Sequence, residues 1–351
     1  MIRDIGSATI SGSAFPEALP RTSGKPLVTP SLTRCADSAR MRGEPIAASA
    51  APYRRYLLLE APGSWGTSAL DERHFDARIA ERLARASADA NANVLLIRRP
   101  GRQRPTGAMP VSPVTGGPGD SPRAWALADT APGAERVLWG SWHTPDDLLD
   151  LDLAAALPKD AAASGPQRVA LTCTNGKRDL CCAVHGRPVA ETLAATPGWD
   201  SWESTHLGGH RFAATTMLLP TGDMFGWLDR RSAAAVVERF DAGQLLISHY
   251  RGRSGQPMPV QAALHAAAIR LEDSRRQAFR VIEAVPIGAA RPADAERWTV
   301  FVGHREERGR EVTYRVAVAR TTPAPGLLSC ADELPKAEAR YVAISFSRAG
   351  R

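Results

Sequence analysis

Two short segments constrain this chain more than any other feature: Cys173-Thr-Asn-Gly-Lys-Arg-Asp-Leu-Cys181-Cys182 and His206-Leu-Gly-Gly-His210-Arg-Phe212. Thiols and imidazoles at tight local spacings, separated by about two dozen residues, can supply a complete four-ligand metal site. Soft thiolates suit zinc or the iron of iron–sulfur centres, and imidazole suits either metal. A fold that uses these side chains must bring both segments to one edge.

Composition narrows the class. With 351 residues and 44% apolar content, the chain is long enough for two buried cores. Its formal charge of +7 comes mostly from arginines scattered among acids, as in Glu306-Glu307-Arg308-Gly309-Arg310-Glu311. No basic block interleaved with aromatics marks a nucleic-acid surface, so no nucleic-acid partner is expected. Five cysteines, two of them adjacent, argue against a disulfide framework and for a reducing compartment. No apolar run approaches the ~18 residues of a membrane span, and no secretory signal opens the chain. These features predict a cytoplasmic protein with no membrane partner.

Residues 1–32 are rich in Ser, Thr, Pro and Gly and read as a disordered extension, or as a start codon placed too early. An N-terminal α/β domain is expected over 33–160. It begins with a buried strand at Tyr56–Glu60, then a helix capped by Ser68 and carrying Phe75, Ile79 and Leu83. Strands follow at Val94–Ile97 and Arg136–Trp139, with a flexible Gly- and Pro-rich loop over Pro100–Pro122 between them. Ala161–Pro166 reads as a linker.

The second domain, 167–250, opens with strand Arg168–Thr172, which places Cys173 at its carboxyl end. Cys181 and Cys182 open a helix running to about Ala195, unless Pro188 shifts its start to Gly186. Strand Trp199–Thr205 delivers His206. A helical turn over Arg211–Ala214, a hairpin around Thr221-Gly222-Asp223 and a helix capped by Ser232 complete an element order that is thioredoxin-like. The region 251–351 reads as a small α+β appendage, with a helix over Val260–Arg276 and four strands. The strand–helix–strand start of the first domain also raises the idea that it is a degenerate copy of the second.

The carboxyl edge of an α/β sheet is where ligands gather, and the N–H groups at a helix start favour thiolate. On a helical turn, His206 and His210 would point the same way. Gly208 and Gly209 are poor helix formers, but they let backbone approach a bulky inorganic group, which favours a cluster over a single ion. Only one of the vicinal thiols can be a close ligand, and Cys181 would face away. Three plainer readings remain. The cysteines could be core residues. A zinc-stabilised binding module would normally show C-x2-4-C rather than the wide C-x8-C found here. A thiol-based oxidoreductase would want Cys-X-X-Cys. Cys35 and Cys330, remote in sequence, read as core residues. His74, His143, His185, His249, His265 and His304 are isolated and read as structural or solvated.

The run from Cys173 to Cys182, followed by His-Leu-Gly-Gly-His-Arg-Phe-Ala, resembles the sucrase/ferredoxin-like family. Cys35–Pro45, Glu60–Gly66, Tyr250-Arg-Gly-Arg253 and the stretch from Gln261 extend the likeness over about 33–345. The resemblance implies a thioredoxin-like ferredoxin domain with one [2Fe–2S] cluster held by Cys173, Cys182, His206 and His210. Related thioredoxin-like ferredoxins carry Cys-x3-Cys where His206 and His210 stand here. Nothing in the sequence supports the sucrase half of that family name, since no paired carboxylates are placed to flank a glycosidic bond.

Exchanging two thiolates for two neutral imidazoles removes negative charge and raises the potential. In Rieske centres that exchange gives about −150 to +300 mV, against about −400 mV in plant-type clusters. An intermediate to high potential that falls as pH rises is therefore expected. Gly176, Lys177, Arg178, Gly208, Gly209 and Arg211 are the expected surroundings of the cluster, with the cations either screening its charge, meeting an acidic redox partner protein, or simply solvated. The resulting expectation is an electron carrier or redox sensor rather than a catalyst.

Overall fold

A computed structural model describes residues 34–71, 74–101, 121–289 and 291–350. The expected N-terminal extension and the body of the 100–122 loop lie outside the described residues. The chain is α/β: a nine-stranded mixed sheet, then a four-stranded antiparallel sheet.

After a short helix α1 (Cys35–Met41), the large sheet begins with β1 (Arg55–Glu60), helix α2 (Ala77–Asp89) and β2 (Ala92–Arg98). Strands β1 and β2 are parallel, β3 (Arg123–Asp129) pairs antiparallel with β1, and β4 (Arg136–Trp142) pairs antiparallel with β3. Leu57, Leu58 and Leu59 are fully buried, as a strand covered on both faces requires. Helix α2 begins at Asp76, whose carboxylate accepts the Ile79 N–H at 2.9 Å, so the cap lies eight residues beyond the Ser68 expected. Strand β3 was not foreseen from sequence.

The pattern then repeats with β5 (Val169–Cys173), α3 (Leu180–Ala194), β6 (Asp200–Ser204), β7 (Thr216–Leu219) and β8 (Asp223–Phe225). Strands β5 and β6 are parallel, and β7 and β8 extend antiparallel from β5. Helix α4 (Arg230–Asp241) is capped by Asp229, with Ser232 as its reciprocal partner rather than the cap. Strand β9 (Tyr250–Arg253), also unforeseen, closes the sheet, whose order is β4-β3-β1-β2-β6-β5-β7-β8-β9. The two halves thus share one connectivity, in which a parallel pair bridged by a helix is extended by an antiparallel hairpin. They meet where β2 and β6 overlap antiparallel through their last residues, Ile97↔Ser204 and Arg98↔Glu203.

One apolar layer crosses that seam on a single face, running through Leu58, Ile97, Leu171, Trp202 and Met217 and including Cys173 and Cys182. Helix α2 covers the opposite face of the first half, and α3 with α4 that of the second. The C-terminal region packs α5 (Met258–Arg270), shorter than expected, on the sheet β10 (Phe279–Ile287), β11 (Arg297–Arg305), β12 (Glu311–Thr321) and β13 (Arg340–Arg348). Among the described residues, no helix is long and apolar enough to cross a membrane.

Ile97 is fully buried and faces Ser204 across the seam. Ile97→Ala should cost about 2–5 kcal/mol, read as a lower urea midpoint with an unchanged slope. A loss below about 1 kcal/mol would show that the seam is not part of the cooperative core.

Candidate metal centre

The ligand loop 174–179 is fixed by its own polar residues. Asn175 Oδ1 accepts the N–H groups of Lys177 and Arg178, and its Nδ2 donates to the Gly66 carbonyl at 3.0 Å. Asp179 caps α3, accepting the Cys181 N–H at 2.9 Å. The helix therefore starts at Leu180 and carries Pro188 within it, contrary to the possible later start. Gly186 presses α3 against β5, where a Cβ would stand 2.1 Å from the Cys173 carbonyl oxygen. That contact holds Cys182, in the first turn, beside Cys173 at the end of β5.

Cys173 and Ser204 are register partners, so His206 emerges from the same carboxyl edge two residues later. Gly208 and Gly209 adopt φ values of +86° and +70°, and a 3-10 turn over His210–Phe212 follows. Donor atoms of Cys173, Cys182 and His206 lie within 4.8 Å of one another. His210 Nδ1 stands 3.7 Å from Cys182 Sγ, and the two imidazoles stack with centroids 3.8 Å apart and planes at 17°. All four expected side chains thus gather on one rim. Both thiols are almost fully buried and both imidazoles are partly so.

Electrostatics favour the ligating form at Cys173 and His210 and oppose it at Cys182. Cys182 and then His206 draw the Cys173 thiol well below its ordinary value, against burial. Cys182 is pushed up by its hydrogen bond to Cys173, then by burial and by the charge on Cys173. Burial, with His206 second, pushes His210 down to about 3, leaving a neutral ring with a free lone pair. His206 Nδ1 is buried and has no hydrogen-bond partner among the described residues, which ordinarily costs about 1–3 kcal/mol. A soft metal bound by this donor set would fit that atom and these two thiols.

The surroundings differ in part from expectation. Gly176, Lys177 and Arg178 are exposed at the rim. Arg211 is buried and bound to Glu44 and Glu338, and its charge reaches His210 from there. Sequence reasoning missed Arg251, which is 1% exposed. Its guanidinium donates to the Gly208 carbonyl at 2.9 Å, to the Ser49 hydroxyl at 3.0 Å and to the Ser49 carbonyl. It makes no ion pair among the described residues. Burial, then the charge of Arg211, lowers it to about 9, while Tyr56, Glu338 and Cys173 favour its protonated form. Asp179 was missed as well, and its carboxylate lies 3.9 Å from His210 Nδ1. Cys181 faces away from Cys182, as expected. Cys35 and Cys330, expected to be separate core residues, instead meet it.

A family model described as Suc_Fer-like, sucrase/ferredoxin-like, matches residues 46–252. That span contains the whole rim and both halves of the large sheet. No curated protein and no solved structure matches the chain.

A methyl group on Gly209 would lie 2.6 Å from Arg251 Nη2 at a φ that L-residues avoid, whereas one on Gly208 meets nothing closer than 3.9 Å. Gly209→Ala should therefore cost about 2–4 kcal/mol and Gly208→Ala about 1 kcal/mol, compared by thermal unfolding. Equal losses would show that backbone strain alone, and not the close approach of Arg251, selects Gly209.

Proposed function

We propose, for a chain that belongs to the sucrase/ferredoxin-like family, that the rim formed by Cys173, Cys182, His206 and His210 carries one [2Fe–2S] cluster and serves electron transfer or redox sensing. The observation that carries this reading is the convergence of two buried thiols and two stacked imidazoles on one sheet edge, with His206 Nδ1 buried and unpartnered. Bound there, the cluster would supply a one-electron couple. The chain's own residues set the conditions for it. The thiols and neutral imidazoles are the donors, and the apolar layer around Leu171 and Leu207 keeps water from the buried side. Arg251 contributes a fixed positive charge beside Cys173 that neutral acceptors hold in place. Positive charge there favours the added electron and offsets the negative charge of bound thiolates.

Lys177 and Arg178, exposed in the loop between Cys173 and Cys182, fit contact with an acidic redox partner protein. Five free cysteines fit a reducing compartment such as the cytosol. Among the described residues no paired carboxylates or other catalytic constellation accompanies the rim, so a carrier is the reading we favour over a catalyst. The second reading is zinc at the same rim, since three of its donors lie close enough to reach a single ion.

Protein purified without oxygen should be red-brown, with about two irons and two sulfides per chain. Cys182→Ser should bleach it and Cys181→Ala should not. A colourless, iron-free protein with zinc lost from Cys182→Ser would replace the cluster with the second reading. His206→Cys should retain iron and lower the midpoint potential.

Arg251→Met should also lower the potential, by about 60 mV, the one-electron equivalent of about 1.4 kcal/mol of lost charge stabilisation. An unchanged potential in a folded, iron-loaded variant would remove Arg251 from the tuning of the site.

A further inference from the structure

The first turn of α3 presents thiols in two directions. Cys182 faces the imidazoles, while Cys181 faces Cys35 at the start of α1 and Cys330 in the segment between β12 and β13. The Sγ–Sγ separations are 3.6 Å for Cys35–Cys181, 3.3 Å for Cys181–Cys330 and 3.6 Å for Cys35–Cys330. Both carboxylate oxygens of Asp179 lie 3.7 Å from Cys35 Sγ. One donor atom from each of the four residues lies within 4.8 Å of the other three. Zinc holds thiolate sulfur at about 2.3 Å, which makes the S–S edge of a tetrahedral site about 3.8 Å. The three sulfurs already outline one face of such a tetrahedron to within about half an ångström.

We propose that Cys35, Cys181 and Cys330, with Asp179 as the fourth donor, form a structural zinc site separate from the Cys/His rim.

Three observations carry this beyond three cysteines packed as small apolar residues. First, a carboxylate that is 3% exposed sits against the thiols, with no lysine or arginine paired to it among the described residues. Its three hydrogen bonds keep it charged, and such an anion opposes ionisation of the adjoining thiols unless a cation joins them. Second, the donors are oriented as a metal site requires. Asp179 accepts the Cys181 N–H at 2.9 Å, and the Ser329 hydroxyl and Cys330 N–H at 2.8 Å each. Third, the thiols come from segments 146, 149 and 295 residues apart. A disulfide would use two of them and leave the third thiol buried against the carboxylate.

The donor set selects the ion: three soft thiolates and one carboxylate in a closed pocket suit tetrahedral zinc. Only Cys330 is partly exposed, which leaves an approach for the metal. Cys35 and Cys330 lie outside residues 46–252, so the family match does not account for the site. Its structural consequence is a clamp that pins α1 and the segment around Cys330 to the helix turn that carries Cys182.

The test is metal content in protein expressed with iron and zinc and purified without oxygen or chelators. Wild type should hold about one zinc per chain, independent of iron. Cys330→Ser should lose at least nine-tenths of the zinc and keep its iron, whereas Cys182→Ser should lose iron and keep zinc. X-ray absorption at the zinc edge of wild type, which needs no variant to fold, should show about three sulfurs at about 2.3 Å and one lighter ligand. Zinc-free wild type, full zinc in Cys330→Ser, a nitrogen-rich zinc shell, or a Cys181–Cys330 disulfide in the anaerobic protein would each overturn the proposal. Iron-free protein whose zinc survives Cys182→Ser would instead sink the [2Fe–2S] reading and leave this site standing.

Discussion

The carboxylate of Asp179 is the contact on which the arrangement of both sulfur groups depends. It starts α3 by accepting the Cys181 N–H, and it anchors the distant segment at Ser329 and Cys330. It also lies within ion-pair distance of His210. Because the cap fixes where the helix begins, it fixes which way each of two adjacent thiols points. Successive residues on a helix are turned by about 100°, so Cys181 and Cys182 must serve different neighbourhoods. Burial opposes the charge on Asp179, but the donated hydrogen bonds outweigh it and hold the carboxyl below its ordinary value. The group therefore remains an anion when α3, the ligand loop and the C-terminal segment are assembled around it.

A second buried charge balances the first on the other side of the rim. Arg251 projects from an edge strand into the interior and binds carbonyls and hydroxyls of residues 49, 208 and 215. Three separate pieces of chain are thereby fastened around one guanidinium. Burying a cation among neutral acceptors is expensive, and it makes physical sense where an anionic group is held nearby. Glu338 and Cys173 are the groups whose negative charge favours it. The glycines between the histidines belong to the same arrangement, since Gly209 leaves the space that the Arg251 side chain occupies.

What the sequence made legible follows from how local each signal is. The thiol and imidazole spacings are local, and parallel strands bring their ends together, so the rim could be assembled from residues 168–210 alone. Runs such as Leu57–Leu59 and Leu95–Ile97 announce buried strands by themselves. Strand β3 did not, because Arg-Ala-Trp-Ala-Leu-Ala-Asp is rich in alanine and carries a weak apolar pattern. Strand β9 reads Tyr-Arg-Gly-Arg and exists because β8 pairs with it and the interior accepts Arg251. The α2 cap was misplaced because Ser68 and Asp76 both offer a suitable oxygen, and only the path of the chain decides between them. The meeting of Cys35, Cys181 and Cys330 could not be read at all, since no local spacing encodes a contact between residues 295 apart.

The shared connectivity of the two half-sheets explains why one rim can be served by the whole chain. Strands β2 and β6 pair only through their final residues, so the carboxyl ends of both parallel pairs arrive at the same stretch of sheet. The second half brings thiols and imidazoles there. The first half ends its strands in Glu60 and Arg98, groups that form hydrogen bonds and ion pairs: Glu60 accepts the Ala124 N–H, and Arg98 pairs with Glu203. Glu203 in turn accepts the hydroxyl of Thr174, the residue after Cys173. The loop after β1 reaches the ligand loop through the Gly66 carbonyl and Asn175. One half therefore supplies the donors and the other buttresses the loop that carries them, a division of labour set by which side chains end each strand rather than by any difference in fold.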